Sequence, residues 1–216
     1  LSDLGILYFG RKLLQKLNKS THLIFWYFLN PLVILELTGN LHFEGVMLFF
    51  FIWSMCLLCN KKWLLAAIVY ALSISIKLVP LLFLPLFLKY FGIKKSMLFY
   101  AVVGITTVLL VLPFYSLDFA NNYIDTVGLW FSNFEFNAGF YNAIKKVAVN
   151  FDAKPWELIK DYGKITTIIV IAAVALFTFF RDNKKISSVL TSMLWVLALH
   201  YFLSATVHPW YIIFLV

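Results

Sequence analysis

Charged residues are scarce in this chain of 216 residues. Only 13% are Asp, Glu, Lys or Arg, whereas 62% are hydrophobic and 19% are aromatic, with 23 phenylalanines. An ordinary soluble domain has about 25% charged residues and cannot bury so many large apolar side chains. Apolar runs instead recur between short basic clusters, which is typical of a protein that crosses a membrane several times. The composition therefore predicts an all-α, polytopic transmembrane helical bundle.

Cysteine is rare too, and several catalytic motifs are missing. Cys56 and Cys59 are the two cysteines, and because no second pair would complete a metal or redox site, we interpret both as structural. The sequence has no phosphate-binding glycine loop, no HExxH motif and no nucleophile elbow, so it gives no support to catalysis driven by nucleotide hydrolysis. No cofactor is evident. A divalent metal stays open, although the sequence has no cluster of ligands for one.

The apolar runs predict about seven to eight membrane spans or half-spans. Residues 1–21 are polar enough to remain outside the membrane. The runs that follow are residues 22–37, 45–60, 63–91, 97–113, 165–180 and 186–203, and then a last run after SATVHPWY. Residues 63–91 are too many for one straight span and too few for two full ones. We interpret them as two short helices that meet at SIKLVP, with one long kinked helix as the alternative.

The basic residues orient these spans. Twelve of the 18 Lys and Arg residues lie where we place the cytoplasm and six on the other side, as the positive-inside rule requires. The charge of +8 thus reflects topology, and no nucleic-acid partner is expected. Residues 114–164 form one long extracytoplasmic loop, in which four apolar residues predict an amphipathic surface helix: Phe140, Ile144, Val147 and Phe151. Residues 1–216 are treated as a single transmembrane domain, the C-terminal part of a longer chain.

The stretch NPLVILELTGNLHFE, residues 30–44, gathers polar side chains between two apolar runs. Glu36, Asn40, His42 and Glu44 lie there, and such groups at membrane depth are costly unless they face water, a ligand or a partner. A carboxylate beside an imidazole suits proton transfer or the binding of a polyhydroxylated ligand. The alternative is a helix cap in contact with interfacial water. Glu36 lies deeper, and we expect it to tie helices together.

Two further motifs fall on the same predicted face. Lys77 interrupts an apolar stretch, where it either extends to the lipid headgroups or holds an anion such as a lipid-linked phosphate. The sequence HPWY supplies His208, Trp210 and Tyr211. His208 is a candidate donor to a phosphate or a leaving group, whereas the two aromatic residues either contact a sugar or anchor the chain at the membrane interface.

The long loop offers a third group of candidates. Glu135 and Asn137 precede the predicted amphipathic helix in the sequence FEFNAG. Either these two side chains reach the cavity below the loop, or they are solvated loop residues.

These motifs resemble the polytopic GT-C glycosyltransferases that use a polyprenol-phosphate-linked mannose or a related hexose. The resemblance rests on NPLVILELTGNLHFE, SIKLVPLLFLPLF, FEFNAG and HPWY. Within it, Lys77 to Pro80 resembles the K-x-x-P turn of bacterial mannosyltransferases and of the catalytic subunit of the first GPI mannosyltransferase. It implies the transfer of a hexose, expected to be mannose, from the lipid-linked donor to a lipid or glycan acceptor. The resemblance places the enzyme in the bacterial inner membrane, with its active face extracytoplasmic.

The same resemblance assigns roles to the site residues. The family's acidic catalytic residue is expected in the first extracytoplasmic loop, upstream of this chain, because residues 1–21 hold no paired carboxylates. Within the chain, Glu44 is the candidate base, with His42 beside it. The expected substrate-binding residues are Asn40, Lys77, Glu135, Asn137, His208, Trp210 and Tyr211. A transporter or flippase for a lipid-linked sugar is the competing function, and a non-catalytic subunit of a membrane complex is a third.

Overall fold

The computed structural model describes residues 1–132 and 134–216, and these are helical almost throughout. The helices are α1 (Ser2–Lys16), α2 (Ile24–Phe28), α3 (Pro31–Val33), α4 (Glu44–Cys59), α5 (Trp63–Ile76), α6 (Leu88–Phe91), α7 (Ile93–Val111), α8 (Leu117–Ser132), α9 (Gly139–Val149), α10 (Pro155–Phe179) and α11 (Ile186–Leu203). Short 3₁₀ segments cover Thr21–Leu23, Val79–Phe87, Leu112–Phe114 and Pro209–Leu215. The predicted all-α fold is confirmed.

Among the residues that the structure describes, three helices are long and apolar enough to cross a membrane: α7 with the turn after it (Ile93–Phe114), α10 and α11. A fourth span arises if Thr21–Phe28 and Pro31–Gly39, which meet at 58°, form one broken span. Three shorter apolar helical segments are Glu44–Cys59, Trp63–Ile76 and Val79–Phe91. Long and short helices thus occupy the predicted spans and half-spans, and the chain is a polytopic membrane protein.

The unit after α4 folds back on itself. Lys77 is extended (φ −155°, ψ 140°) and ends α5, after which the chain turns into the 3₁₀ segment. The Tyr70 hydroxyl donates to the Pro80 carbonyl at 2.6 Å, and the ammonium of Lys95 lies 5.7 Å from the centroid of Trp63, the first residue of α5. The chain therefore returns to the level at which α5 began. This is the predicted pair of short helices, and the alternative of one long kinked helix is wrong.

Residues 1–21 were predicted to lie outside the membrane, and the prediction did not include the packing of α1 against α4. The ring of Phe9 stacks on Trp53 of α4 with centroids 5.3 Å apart, and the Cys56 thiol donates to the Phe9 carbonyl at 3.0 Å. The basic residues of α1 collect towards its C-terminal half, and its apolar residue Ile6 is buried (1% exposed). The contact also gives Cys56 a structural role.

The long loop holds more helix than was predicted. Helix α8 lies in a part of the loop for which no helix was predicted, and α10 begins at Pro155, ten residues before the predicted start of its span. The amphipathic helix is present as α9. It packs through a small core of Ala138, Tyr141, Ile159 and Tyr162, whereas Phe140 and Val147 of its predicted apolar row stay exposed.

A much larger core joins α4, α5, α7 and α11. Tyr70 lies at its centre, fully buried, with the rings of Phe87 and Phe99 5.8 and 6.0 Å away. Aromatic pairs at such distances add to the free energy of burial. The turn at Lys77 rests on this core.

Candidate functional site

The backbone of residues 30–44 explains how the polar side chains converge. The Asn30 side chain accepts from the Leu32 amide at 2.9 Å, and Pro31 occupies the first helical position, which is favourable because it needs no donor there. A widened π-helical turn, Ile34–Gly39, follows. Leu41 then adopts φ +54°, a left-handed conformation that is costly for leucine and is typical of functional sites when the surroundings maintain it.

The π-helical turn and Leu41 bring two polar residues, Asn40 and His42, close to Glu36. Its Oε2 accepts from Asn40 Nδ2 at 3.0 Å and lies 3.3 Å from His42 Nε2. Glu36 is 5% exposed, so these two partners take the place of water. Asn40 and His42 were expected to line the site. Glu36 was expected to tie helices together, and the structure instead places it at the centre of the cluster.

Glu44 forms an ion pair with Lys77. Glu44 is the first residue of α4, and Lys77 is the extended residue that ends α5. The Glu44 side chain is 5% exposed and that of Lys77 30%, so water reaches the ammonium far more readily than the carboxylate. The same ammonium lies 4.2 Å from the ring centroid of Tyr211, a cation–π contact. All three residues were candidates in the sequence, but the ion pair of Glu44 with Lys77 was not predicted.

Four rings form a stack beside these carboxylates. His42 lies on Trp210 with centroids 4.0 Å apart, Trp210 on His208 at 4.4 Å, and His208 on Phe136 at 4.6 Å. The backbone holds the last ring in place, because the Val207 amide donates to the Phe136 carbonyl at 2.9 Å. The stack therefore connects the long loop to the Glu36 cluster.

The two loop candidates, Glu135 and Asn137, lie on either side of Phe136, the ring at the end of this stack. Glu135 is exposed and pairs with Lys145 of α9. Asn137 is exposed as well, with φ +51°. Between them, Phe136 is the residue that meets His208, and its apolar ring carried no signal that would have marked it in the sequence.

An apolar groove of about 860 Å³ opens beside Lys77. The ends of α5 and α11 line it together with α7 and α8, and its walls include Val111, Phe119 and Tyr123. Lys77 and Tyr211 also line it. His208 lies behind Tyr211, whose ring it meets edge-on at 5.3 Å. A groove of this kind suits an amphiphile whose anionic group reaches the lysine.

The electrostatics of His208 favour a neutral imidazole. Burial lowers its pKa from the ordinary value of 6.5, and the charges of Lys77 and His42 lower the pKa further, whereas Glu44 raises it. A neutral ring donates from one nitrogen and accepts at the other. In residues 1–132 and 134–216, no group of three or more His, Cys, Asp or Glu side chains is arranged to hold a metal ion.

Comparison with known proteins supports the resemblance seen in the motifs. Residues 3–91 match a protein family described as alpha-(1->6)-mannopyranosyltransferase, N-terminal domain. The match covers less than half of the chain, but it includes Glu36, Asn40, His42, Glu44 and Lys77. No curated protein and no solved structure matches the chain. The resemblance to mannosyltransferases is thus confirmed over residues 3–91, the part that carries both clusters.

Proposed function

We propose that this chain is part of a GT-C membrane glycosyltransferase that transfers a mannosyl residue from a polyprenol-phosphate donor to an acceptor hydroxyl. The observation that carries the proposal is the position of Lys77. It is a partly exposed lysine on the wall of an apolar groove, within the segment that matches mannosyltransferases. An isoprenoid chain fits the groove by its apolar surface, and the phosphate then meets the ammonium.

The Lys77 ammonium suits the leaving group of such a reaction. When the bond between mannose C1 and the phosphate oxygen breaks, the electron pair stays on that oxygen, and the polyprenyl phosphate gains negative charge. A fixed cation stabilises the charge as it develops. The Tyr211 ring, 4.2 Å from the ammonium, helps to hold it in place.

Glu44 is the candidate base in this chain. The acceptor oxygen forms a bond to C1 while its hydroxyl proton passes to the carboxylate, so bonds and charges balance. A well-placed general base contributes about 10²–10⁴ in rate. Glu36, Asn40 and His42 supply acceptors and donors for sugar hydroxyls, and His42 is partly exposed. His208, Trp210 and Tyr211 complete this side of the site.

A transfer assay tests the proposal. The protein is reconstituted in liposomes with radiolabelled polyprenyl phosphomannose and candidate acceptors, and labelled product is measured. Glu44→Gln keeps the shape of the side chain and should lose about 10²-fold or more in rate. The matched control is Glu157→Gln, which removes the same charge from an exposed pair with Lys154.

Two outcomes count against the proposal. Parental turnover in Glu44→Gln would remove Glu44 as the base and leave that role to another carboxylate. Movement of the donor across the bilayer by the wild type, without any transfer, would favour the flippase.

The extracytoplasmic placement needs a separate test. Ser75 and Lys94 are both exposed, and they lie at opposite ends of the folded-back unit. In right-side-out vesicles, Ser75→Cys should react with an impermeant thiol reagent, whereas Lys94→Cys should react only after the membrane is opened. Because native Cys59 is partly exposed, both variants are made in a background that lacks it. External labelling at position 94 would reverse the topology.

A further inference from the structure

We propose that Glu44 and the phosphodiester of a lipid-linked ligand compete for Lys77, so that ligand binding releases the Glu44 carboxylate. The inference rests on the proposed function and adds to it an order of events. Until the ligand arrives, the base is held by the same cation that the phosphate needs. After the exchange, the carboxylate is available to the acceptor hydroxyl.

The geometry offers one cation for two anions. Lys77 is the one charged residue among the described residues that line the groove. Its ammonium already contacts Glu44 on one side and the Tyr211 ring on another. Because the Lys77 side chain is 30% exposed and that of Glu44 is 5% exposed, an anion in the groove reaches the lysine without first moving the carboxylate.

The energetics then favour exchange over simple addition. Two anions that share one ammonium in a poorly solvated site repel each other, and a phosphodiester is anchored by its lipid chain as well as by its charge. The carboxylate that loses its cation while buried needs another partner. The acceptor hydroxyl then passes its proton to the Glu44 carboxylate as its oxygen bonds to C1 and the donor phosphate leaves.

This account makes an unusual prediction about affinity. Glu44→Gln removes the internal competitor and should bind a phosphodiester lipid more tightly than the wild type, by about three-fold or more. If Glu44 only positioned Lys77 for the phosphate, the same substitution would weaken binding. The gain must also depend on the lysine, so Glu44→Gln should give no gain when Lys77→Gln is already present.

Calorimetry on the protein in phosphatidylcholine nanodiscs measures these affinities. The probe is farnesyl methyl phosphate, a phosphodiester with an isoprenoid tail, and dimethyl phosphate is the tail-free comparison. Tighter binding of the farnesyl probe by Glu44→Gln but not by the control Glu157→Gln is the expected result. A similar gain for dimethyl phosphate would assign the exchange to free phosphate esters and overturn the lipid assignment.

Two further results would overturn the exchange. One is equal or weaker binding of the farnesyl probe by Glu44→Gln. The other is a gain that persists in the Lys77→Gln background. If Glu44→Gln does not fold, as judged by its thermal transition, Glu44→Asp replaces it. The shorter carboxylate holds Lys77 less well and must then bind the probe more tightly than the wild type, and failure to do so also overturns the exchange.

The outcome is separable from that of the transfer assay. If Glu44→Gln binds the probe more tightly but the wild type transfers no mannose, the exchange at Lys77 is supported and the proposed enzymatic function is rejected. If the wild type transfers mannose normally and Glu44→Gln binds the probe with unchanged affinity, the enzymatic function is supported and the exchange is rejected.

Discussion

Glu44–Lys77 and Glu135–Lys145 are both carboxylate–ammonium pairs, and they lie in contrasting surroundings. The Glu44 side chain, at the first residue of α4, is 5% exposed, whereas that of Glu135, in the loop before α9, is 40% exposed. Water can take the place of Lys145 for Glu135, but it has little access to Glu44. Water can therefore replace the lysine of such a pair in the loop, but not in the bundle.

The contrast extends to the whole of the two regions. In the bundle, the Glu36 carboxylate has two side-chain partners and is itself buried. In the loop, Glu157 pairs with Lys154, and both side chains are more than half exposed. A polar group that is kept buried at a cost in free energy is more informative about function than one that solvent already satisfies.

Removing the lysine from each pair should give the largest difference. Lys77→Met leaves Glu44 buried without a cation and should destabilise the protein by about 3 kcal/mol, the lower end of the range for broken buried pairs. Lys145→Met should cost less than about 1 kcal/mol. Thermal unfolding of both variants in the same detergent measures the difference. Similar losses from the two substitutions would show that the exposure of a pair does not determine its contribution to stability.

The Glu36 cluster should show a smaller effect. Glu36→Gln keeps the size of the side chain but replaces a charged acceptor with a neutral one, and hydrogen bonds to charged groups contribute about 1.5–3 kcal/mol. We expect a loss in this range in the stability or in the transition-state free energy of transfer. Asn40→Ala, which removes one neutral donor, should cost about 1 kcal/mol. A larger loss from Asn40→Ala than from Glu36→Gln would show that Glu36 is not the central residue of the cluster.

The pH dependence that His208 contributes should be smaller again. Because its pKa is lowered in the folded state, the unfolded chain takes up a proton first as the pH falls below about 6.5, and stability is lost from that pH downwards. His208→Asn should flatten the decrease in unfolding temperature between pH 7 and pH 5. His22→Asn, at an exposed position, is the control and should leave it unchanged. A wild-type protein that gains stability as the pH falls would contradict the lowered pKa.

The sequence predicted much of the fold because apolar length and basic ends are local signals. Residues 186–203 were predicted as a span and form α11 with the same bounds, and the chain turns at SIKLVP as expected. The position of α1 could not be predicted in the same way. A short helix with polar residues is typical of a surface helix, and its packing on α4 through Phe9 depends on tertiary contacts.

The site was predicted as a set of residues, and its pairings were not. Glu44 and Lys77 are far apart in sequence, and no periodicity joins them. The contact of Glu36 with His42 was not predicted because regular helical spacing was assumed. The π-helical turn and the left-handed Leu41 return His42 to its carboxylate. The stack of His42 and His208 on Trp210 joins residues from the two ends of the chain.

Donor kinetics of two substitutions at Lys77 test most directly whether this residue recognises the phosphate of a lipid-linked sugar. Lys77→Arg keeps the positive charge and Lys77→Met removes it, so the arginine variant should retain most of its affinity for polyprenyl phosphomannose. The methionine variant should show a donor KM raised by about ten-fold or more, the equivalent of one lost charge-assisted contact, while the KM for the acceptor stays unchanged. Near-normal donor KM values for both variants would reduce Lys77 to a lysine that reaches the headgroups, and would contradict the account.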